Sequence, residues 1–298
     1  MGDSTTNDFY NDSTANEVHS QKWDLEIKPQ SSLFDLHLKE VWAYRDLLWL
    51  LVRRDFVSFY KQTIFGPLWF FIQPIFTTII FTFIFSNLAK ISTNSAPAPL
   101  FYMAGTVAWN YFADSLTKTS TVFRDNAPIF GKVYFPRLIM PVSIVFSNLV
   151  KFGVQFILFI LLLAYYMVTT NKVEPNFYIF LFPVVILLMA ILGLGIGLII
   201  TAATTKYRDL AFIVTFGIQL AMYVTPVIYP LSAAPVKYRT IIALNPMSGL
   251  IETFRYGFLG TGHFYPGAFF YSVAASIIIF IIGLVVFNKV EKNFVDTV

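Results

Sequence analysis

The sequence predicts an all-α membrane protein with six transmembrane helices, an amphipathic interface helix before them and a re-entrant hairpin before the last span. Three observations lead there. Of the 298 residues, 56% are apolar and only 13% charged, and the mean hydropathy is +0.65, too apolar for a water-soluble domain of this length. Long apolar runs recur along the chain, separated by short stretches holding Lys, Arg and Pro. Those basic residues sit at the ends of the runs with a clear sidedness, as in loops kept on the cytoplasmic side of a membrane. The net charge of +4 and pI near 9.1 therefore reflect membrane orientation, since no single basic face exists to receive nucleic acid. Absence of cysteine excludes disulfides and thiol catalysis. His19, His37 and His263 lie far apart without ligand spacing, so no metal site is expected.

Residues 1–32, rich in Ser, Thr, Asn and Asp with little apolar periodicity, are expected to form a disordered cytoplasmic tail with no signal-peptide pattern. Over 33–61 apolar residues recur at Val41, Leu48, Val52, Phe56 and Phe59, while Lys39, Asp46 and Arg53 repeat on another face. That periodicity is helical, and the segment is too charged to span. With Trp42 and Trp49 it is expected to lie in the cytoplasmic headgroup region, the alternative being a soluble helix packed on a partner.

The six-span domain occupies 62–298. The first span, Ile64–Leu88, is about 25 residues or roughly 37 Å of helix, enough to cross with some tilt. Pro67 falls near its start, where a missing N–H costs little, and Pro74 is expected to kink it. The second span, Leu100–Val122, contains Asp114, and the third, Leu138–Val168, contains Lys151. Their depths differ by only several ångström at about 1.5 Å per residue, so they can form an ion pair within the hairpin; alternatively Lys151 faces a conduit. The fourth span, Phe177–Thr201, carries Gly193 and Gly197 in a G-x-x-x-G pair that permits close helix approach. No βαβ context makes these glycines a nucleotide loop. The fifth span is Leu210–Tyr229 and the sixth Phe269–Asn288.

Between the second and third spans, residues 123–137 form a short basic island in which Arg124, Lys132 and Arg137 face one acid, Asp125. Pro128 and Pro136 bracket it and should isolate a stiff helix of about two turns, Ile129–Phe135. Such an element reads either as an ordinary loop or as a lever pushed by a partner. Residues 230–266 hold short apolar runs, Ile241–Leu244 and Met247–Leu259, broken by Asn245-Pro246. They are too short to cross and suit a re-entrant hairpin, which needs protein cover or a cavity and so points to a conduit. Arg45, Arg53, Arg54, Lys61, Lys118, Arg124, Lys132, Arg137, Lys206, Arg208, Lys289 and Lys292 fall on one side of the predicted spans, against Lys90, Lys172, Lys237, Arg239 and Arg255 on the other. The richer side is cytoplasmic, both termini with it, and the hairpin faces outward.

Three stretches in this order resemble one family: YKQTIFGPLW from Tyr60 with Pro74, NAPIFGKVYFPRLIMP from Asn126 to Pro141, and LNPMSGLIETFRYGFLG from Leu244 to Gly260. They are similar to the membrane subunits of type-2 ATP-binding-cassette exporters that move O-antigen and other lipid-linked polysaccharides across the bacterial inner membrane. The resemblance covers nearly the whole chain after residue 33. It implies a homodimer working with two ATPase subunits, ATP and Mg bound on those partners and none on this chain, and an undecaprenyl-pyrophosphate-linked polysaccharide as cargo. Consistently, no G-x-x-x-x-G-K-[ST] motif occurs here. The resemblance further implies ATPase coupling through Asn126, Pro128, Ile129, Phe130, Lys132, Tyr134, Phe135, Pro136 and Arg137.

A sugar chain presents flat apolar faces edged by hydroxyls, so aromatic walls with few charges let it slide. On that ground Trp109, Tyr111, Phe112, Tyr223, Tyr229 and Tyr256 are expected to line the conduit, with Lys151, Glu252 and Arg255 beside them. Interfacial anchoring and core filling compete for the aromatics, and Glu252 and Arg255, three apart on a predicted helix, can pair with each other. A teichoic-acid or small-molecule exporter permease of the same type is the alternative cargo reading. A membrane glycan-modifying enzyme would need an acid/base constellation, for which the outward side offers only Glu174, Glu252 and His263.

Overall fold

The computed structural model describes residues 38–61, 63–130, 135–170 and 172–294. The tail 1–32 lies outside them, as do Lys132 and Tyr134 of the basic island. Among the described residues the chain is helical throughout with no strand. The interface segment is two helices, α1 (Leu38–Ala43) and α2 (Arg45–Lys61), interrupted at Tyr44. A 3-10 turn at Gly66–Leu68, with Pro67 in its first turn, opens α3 (Trp69–Phe81). The helix continues through the buried Pro74, and beyond it Thr82–Leu88 widen into a π-helix. There follow α4 (Ala98–Thr119), α5 (Val122–Phe130), α6 (Ile139–Thr169), a 3-10 turn at Phe177–Leu181 leading into α7 (Phe182–Lys206), α8 (Leu210–Val224), α9 (Val236–Ala243), α10 (Pro246–Leu259) and α11 (Pro266–Phe294).

Among the described residues, four stretches are long and apolar enough to cross a membrane: Gly66–Leu88, Ile139–Thr169, Phe177–Lys206 and Pro266–Lys289. They match the first, third, fourth and sixth expected spans closely. The second and fifth differ in kind. Helix α4 has 22 residues, but Asn110, Asp114 and Lys118 lower its hydropathy. Asp114 and Lys118 pair with Lys151 and Asn148 of α6, while most of the helix is buried against α3, α6, α7 and α10. Helix α8 is apolar but only 15 residues long, about 22 Å at 1.5 Å per residue. The expected extension to Tyr229 is cut at Thr225-Pro226, because proline disfavours helical backbone before it: Thr225 is extended, with ψ 145°.

Helix α7 is the middle of the molecule. Gly193 and Gly197 face α4, where an added Cβ would meet the Phe112 carbonyl at 3.2 Å and Thr119 Cβ at 2.6 Å. Gly195, between them, faces α11, where a Cβ would stand 2.7 Å from Phe280 Cα; Gly283 of α11 abuts Gly195 in return. Three glycines at alternate positions thus open opposite sides of one helix, letting two neighbours approach to backbone contact. At the start of α7 lies an aromatic cluster in which Phe156 stacks on Phe182 at 4.5 Å and Phe254 meets Phe258 at 4.9 Å.

Helix α10 is buried on nearly every side. Asn245 caps it, its side chain accepting the Met247 N–H at 3.0 Å, and Pro246 occupies the first turn. It ends at Gly260, whose φ of +67° suits glycine and whose Cα side touches the Glu174 backbone. The Glu174 N–H donates to the Leu259 carbonyl and the Asn176 N–H to the Gly257 carbonyl, fastening the loop before α7 to the end of α10.

Replacing Gly195 by alanine should force α7 from α11 and lower stability by roughly 1–3 kcal/mol, the usual cost of overpacking. Gly217→Ala on α8, where nothing lies within 4 Å of an added Cβ, should be neutral or slightly stabilising. Thermal unfolding of the detergent-solubilised protein, followed by size-exclusion fluorescence, checks the pair.

Candidate functional site

The basic island is built differently from its expected form. Its helix is α5, Val122–Phe130, starting one turn after α4 ends, and Pro128 lies within its final turn. Ser120 and Thr121 make the turn, and the Thr204 hydroxyl at the end of α7 donates to the Ser120 carbonyl. Thr121 Oγ1 donates to Asp125 Oδ2 at 2.6 Å, and Asn126 Nδ2 to the Val122 carbonyl at 3.0 Å. These side-chain bonds hold the first turn of α5, so a helix starts here and not at Ile129. Pro128 cannot supply an N–H to the Arg124 carbonyl, and Phe130 is the last described residue of the helix.

The described aromatics of the island, Phe123, Phe130 and Phe135, turn inward. Phe123 stacks on Phe287 of α11 at 4.9 Å, Phe130 packs against Phe123 at 5.5 Å and Phe135 at 5.7 Å, and the Arg137 guanidinium lies 5.9 Å from the Phe130 ring. Ile129 and Phe130 also pack on a small core formed by Leu48, Leu51 and Val52 of α2 with Ile139 and Met140 of α6. Phe135 is buried and Pro136 half-buried. Phe130 is thus a hinge pin of its own chain, while the outer face of α5 presents Arg124, Asp125 and Pro128 to the surroundings.

Asp114 and Lys151 form the hairpin ion pair, with Lys151 Nζ donating to Asp114 Oδ2 at 2.7 Å. It belongs to a polar seam that sequence reading did not anticipate. Lys118 Nζ donates to Asn148 Oδ1 at 3.1 Å, and Ser147 Oγ to Asp55 Oδ2 of α2 at 3.3 Å. Residues 147, 148 and 151 share one side of α6 at helical spacing, the one signal that could have exposed it.

The expected conduit residues separate into two groups. Trp109, Tyr111 and Phe112 are core residues, 3%, 3% and 6% exposed, packed among themselves and against Phe152. They line no open surface of this chain, because α4 is enclosed by helices. Glu252 and Arg255 are likewise sealed, at 7% and 3% exposure, and act as a brace. Arg255 Nη1 donates to the Pro226 carbonyl at 2.7 Å, Nη2 to the Val227 carbonyl, and the guanidinium lies 3.8 Å from the Phe101 ring centre. Glu252 stands 3.6 Å from Arg255 and accepts the Leu231 N–H at 3.0 Å. One turn of α10 thereby holds the non-helical segment after α8 at both ends. Gly105 makes room for it, since a Cβ there would strike the guanidinium and the Val227 carbonyl. The partners of this E-x-x-R pair are backbone groups, which no side-chain pattern announces.

Of the remaining three, Tyr223 is 55% exposed on α8. Tyr229 is half-buried and donates to the Val224 carbonyl at 2.7 Å. Tyr256 leans on Tyr178 at 5.1 Å and Phe264 at 6.2 Å. Among the described residues no group of three or more His, Asp or Glu could hold a metal ion.

Arg255→Leu should leave the Pro226 and Val227 carbonyls without donors and Glu252 without its counter-charge, a loss of roughly 3–5 kcal/mol for a broken buried pair. Arg255→Leu with Glu252→Leu should recover part of it. The yield of monodisperse protein and its unfolding midpoint measure both.

The ABC-2 type transporter family matches residues 46–259. The O-antigen export system permease protein RfbA of Klebsiella pneumoniae is 29% identical over 252 residues, covering 84% of this chain and 94% of that protein. A second protein of that name from the same organism is 28% identical over the same shares. RfbA of Myxococcus xanthus is 30% identical over 221 residues, 73% of this chain and 82% of that protein. The matched region runs from α2 through the braced helix α10, and on it the chain belongs to the ABC-2 type transporters as a transport permease.

Proposed function

We propose that this chain is the transmembrane subunit of an ATP-driven exporter that moves lipid-linked O-antigen polysaccharide across the bacterial inner membrane. The carrying observation is the similarity to O-antigen export permeases along 84% of the chain and 94% of theirs. In this reading the chain works as a homodimer with two ATPase subunits that bind ATP and Mg, and its cargo is an undecaprenyl-pyrophosphate-linked glycan. Helices α4 and α8 serve as the second and fifth of six spans, α9 and α10 form the re-entrant hairpin, and both termini are cytoplasmic. Burial of α10 on nearly all sides supports this, since a short segment at membrane depth needs protein cover.

Coupling falls to 123–137, with the exposed face of α5 as the contact and Phe130 as the internal pin that carries its displacement into α2, α6 and α11. The conduit wall is the open face of α8, where Phe212, Phe216, Leu220 and Tyr223 are 78%, 61%, 50% and 55% exposed. Only Ala211 of that helix is buried. A wall of aromatic and aliphatic groups without charge offers a sugar chain no deep site in which to stall.

Deletion of the gene should cause lipid-linked glycan to accumulate on the cytoplasmic side, read by mass spectrometry of extracted carrier lipids. Unchanged glycan pools would refute the cargo assignment. Arg124→Glu, which inverts the charge on the exposed face of α5, should reduce transport several-fold while dimer yield stays at the wild-type level; transport assayed in the complemented strain checks it.

A further inference from the structure

A groove of about 650 Å³ lies where the first long helix and α8 end together, within the range of about 300–1,000 Å³ typical of ligand pockets. Ala89–Ser92 after the π-helix, Val224 at the end of α8, Tyr229 beyond it, and Ala233–Pro235 with Tyr238, Ile241 and Ile242 on and before α9 form its walls. The lining is almost entirely aliphatic and aromatic. It contains one cation, Lys90, and no acid.

Lys90 is unusual in two respects. Its backbone is left-handed, with φ 52°, at a helix cap where glycine is preferred. That conformation is fixed on both sides, because the Ala89 N–H donates to the Ile84 carbonyl at 2.9 Å and the Ile91 N–H to the Phe85 carbonyl at 2.8 Å. Its ammonium group has no hydrogen-bond or ion-pair partner among the described residues. A second ammonium, Lys237, stands near the rim, 5.5 Å from the Tyr238 ring centre. The other nearby cation, Arg239, is occupied by the Ser232 and Ala234 carbonyls.

We propose that this groove binds an anionic glycerophospholipid of the leaflet at which α3 and α8 end. The phosphate meets Lys90, and an acyl chain lies against Val224, Ile241 and Ile242. Three features select that occupant. The groove lies at the end of a membrane-spanning helix, where headgroups are found. Its walls suit methylene groups and offer a sugar or peptide few partners. An unpaired lysine with no carboxylate beside it favours a net negative headgroup over a zwitterionic one. The site is separate from the cargo reading and stands whichever glycan is exported.

Native mass spectrometry of the full-length chain, titrated in mild detergent with phosphatidylglycerol or phosphatidylcholine, tests the assignment. One phosphatidylglycerol per chain should bind about fivefold more tightly than phosphatidylcholine, the effect of about one lysine near an anionic headgroup. Lys90→Gln should bring the two lipids to parity, and Ile242→Trp, which fills the groove, should weaken both. Helical content and elution volume of each variant establish that it is folded. Equal affinity for the two lipids in the unsubstituted protein would overturn the proposal, as would undiminished selectivity in Lys90→Gln. If polyprenyl phosphate displaced phosphatidylglycerol, the groove would belong to the carrier lipid. If Ile242→Trp changed the dimer fraction without lipid loss, a second copy would be its occupant. Independently of any variant, a photoreactive phosphatidylglycerol should label Ala89–Ser92 or Ile241–Ile242, and labelling confined to other segments would exclude the site.

Discussion

Backbone contact between α7 and its two neighbours is the constraint from which most of the architecture follows. With Gly193 and Gly197 opening one side and Gly195 the other, α4 and α11 come so close to α7 that an added methyl group would clash. Apolar association between helices gains nothing in lipid, so close van der Waals packing has to supply the attraction. Once α4 is held this way, α6 closes over it through the Asp114–Lys151 pair and the Lys118–Asn148 bond. Once α11 is held, Phe287 offers the flat surface on which Phe123 stacks. The basic island is thereby anchored to the same seam through its own first buried aromatic.

The second organising element is the brace on α10. Between α8 and a 3-10 turn at Leu231–Ala233 the chain is not helical, and its carbonyls would be left unsatisfied inside the protein. Arg255 supplies donors to two of them and Glu252 an acceptor to Leu231. An ion pair alone at this burial would be a doubtful source of stability. Here the charges serve the backbone, and the buried cost is offset by hydrogen bonds that water cannot make.

The helical class, four of the spans and the fragment between Asn245 and Gly260 were legible in the sequence because each rests on a local signal: apolar length, a cap residue, a proline or a glycine. The Asp114–Lys151 pair was legible as one of two options, from depth along antiparallel helices. Less legible was everything that depends on what stands opposite. Two prolines suggested a helix from Ile129, but Thr121 and Asn126 start it at Val122 through bonds of their own. Trp109, Tyr111 and Phe112 looked available for a conduit, yet an aromatic inside a span carries no mark of whether it faces a helix or an opening. Tyr223 alone of that set is openly exposed, on a helix whose shortness was itself set by Thr225-Pro226.

Enclosure of α4 has a consequence for biogenesis. Asp114 and Lys118 find side-chain partners within the protein, but at the moment of synthesis those partners lie further along the chain. Lys151 and Asn148 belong to α6, and the glycine face of α7 emerges later still. A segment of this composition enters lipid reluctantly by itself. As the second of the proposed spans, α4 would settle in the bilayer cooperatively, once the ribosome has delivered α6 and α7.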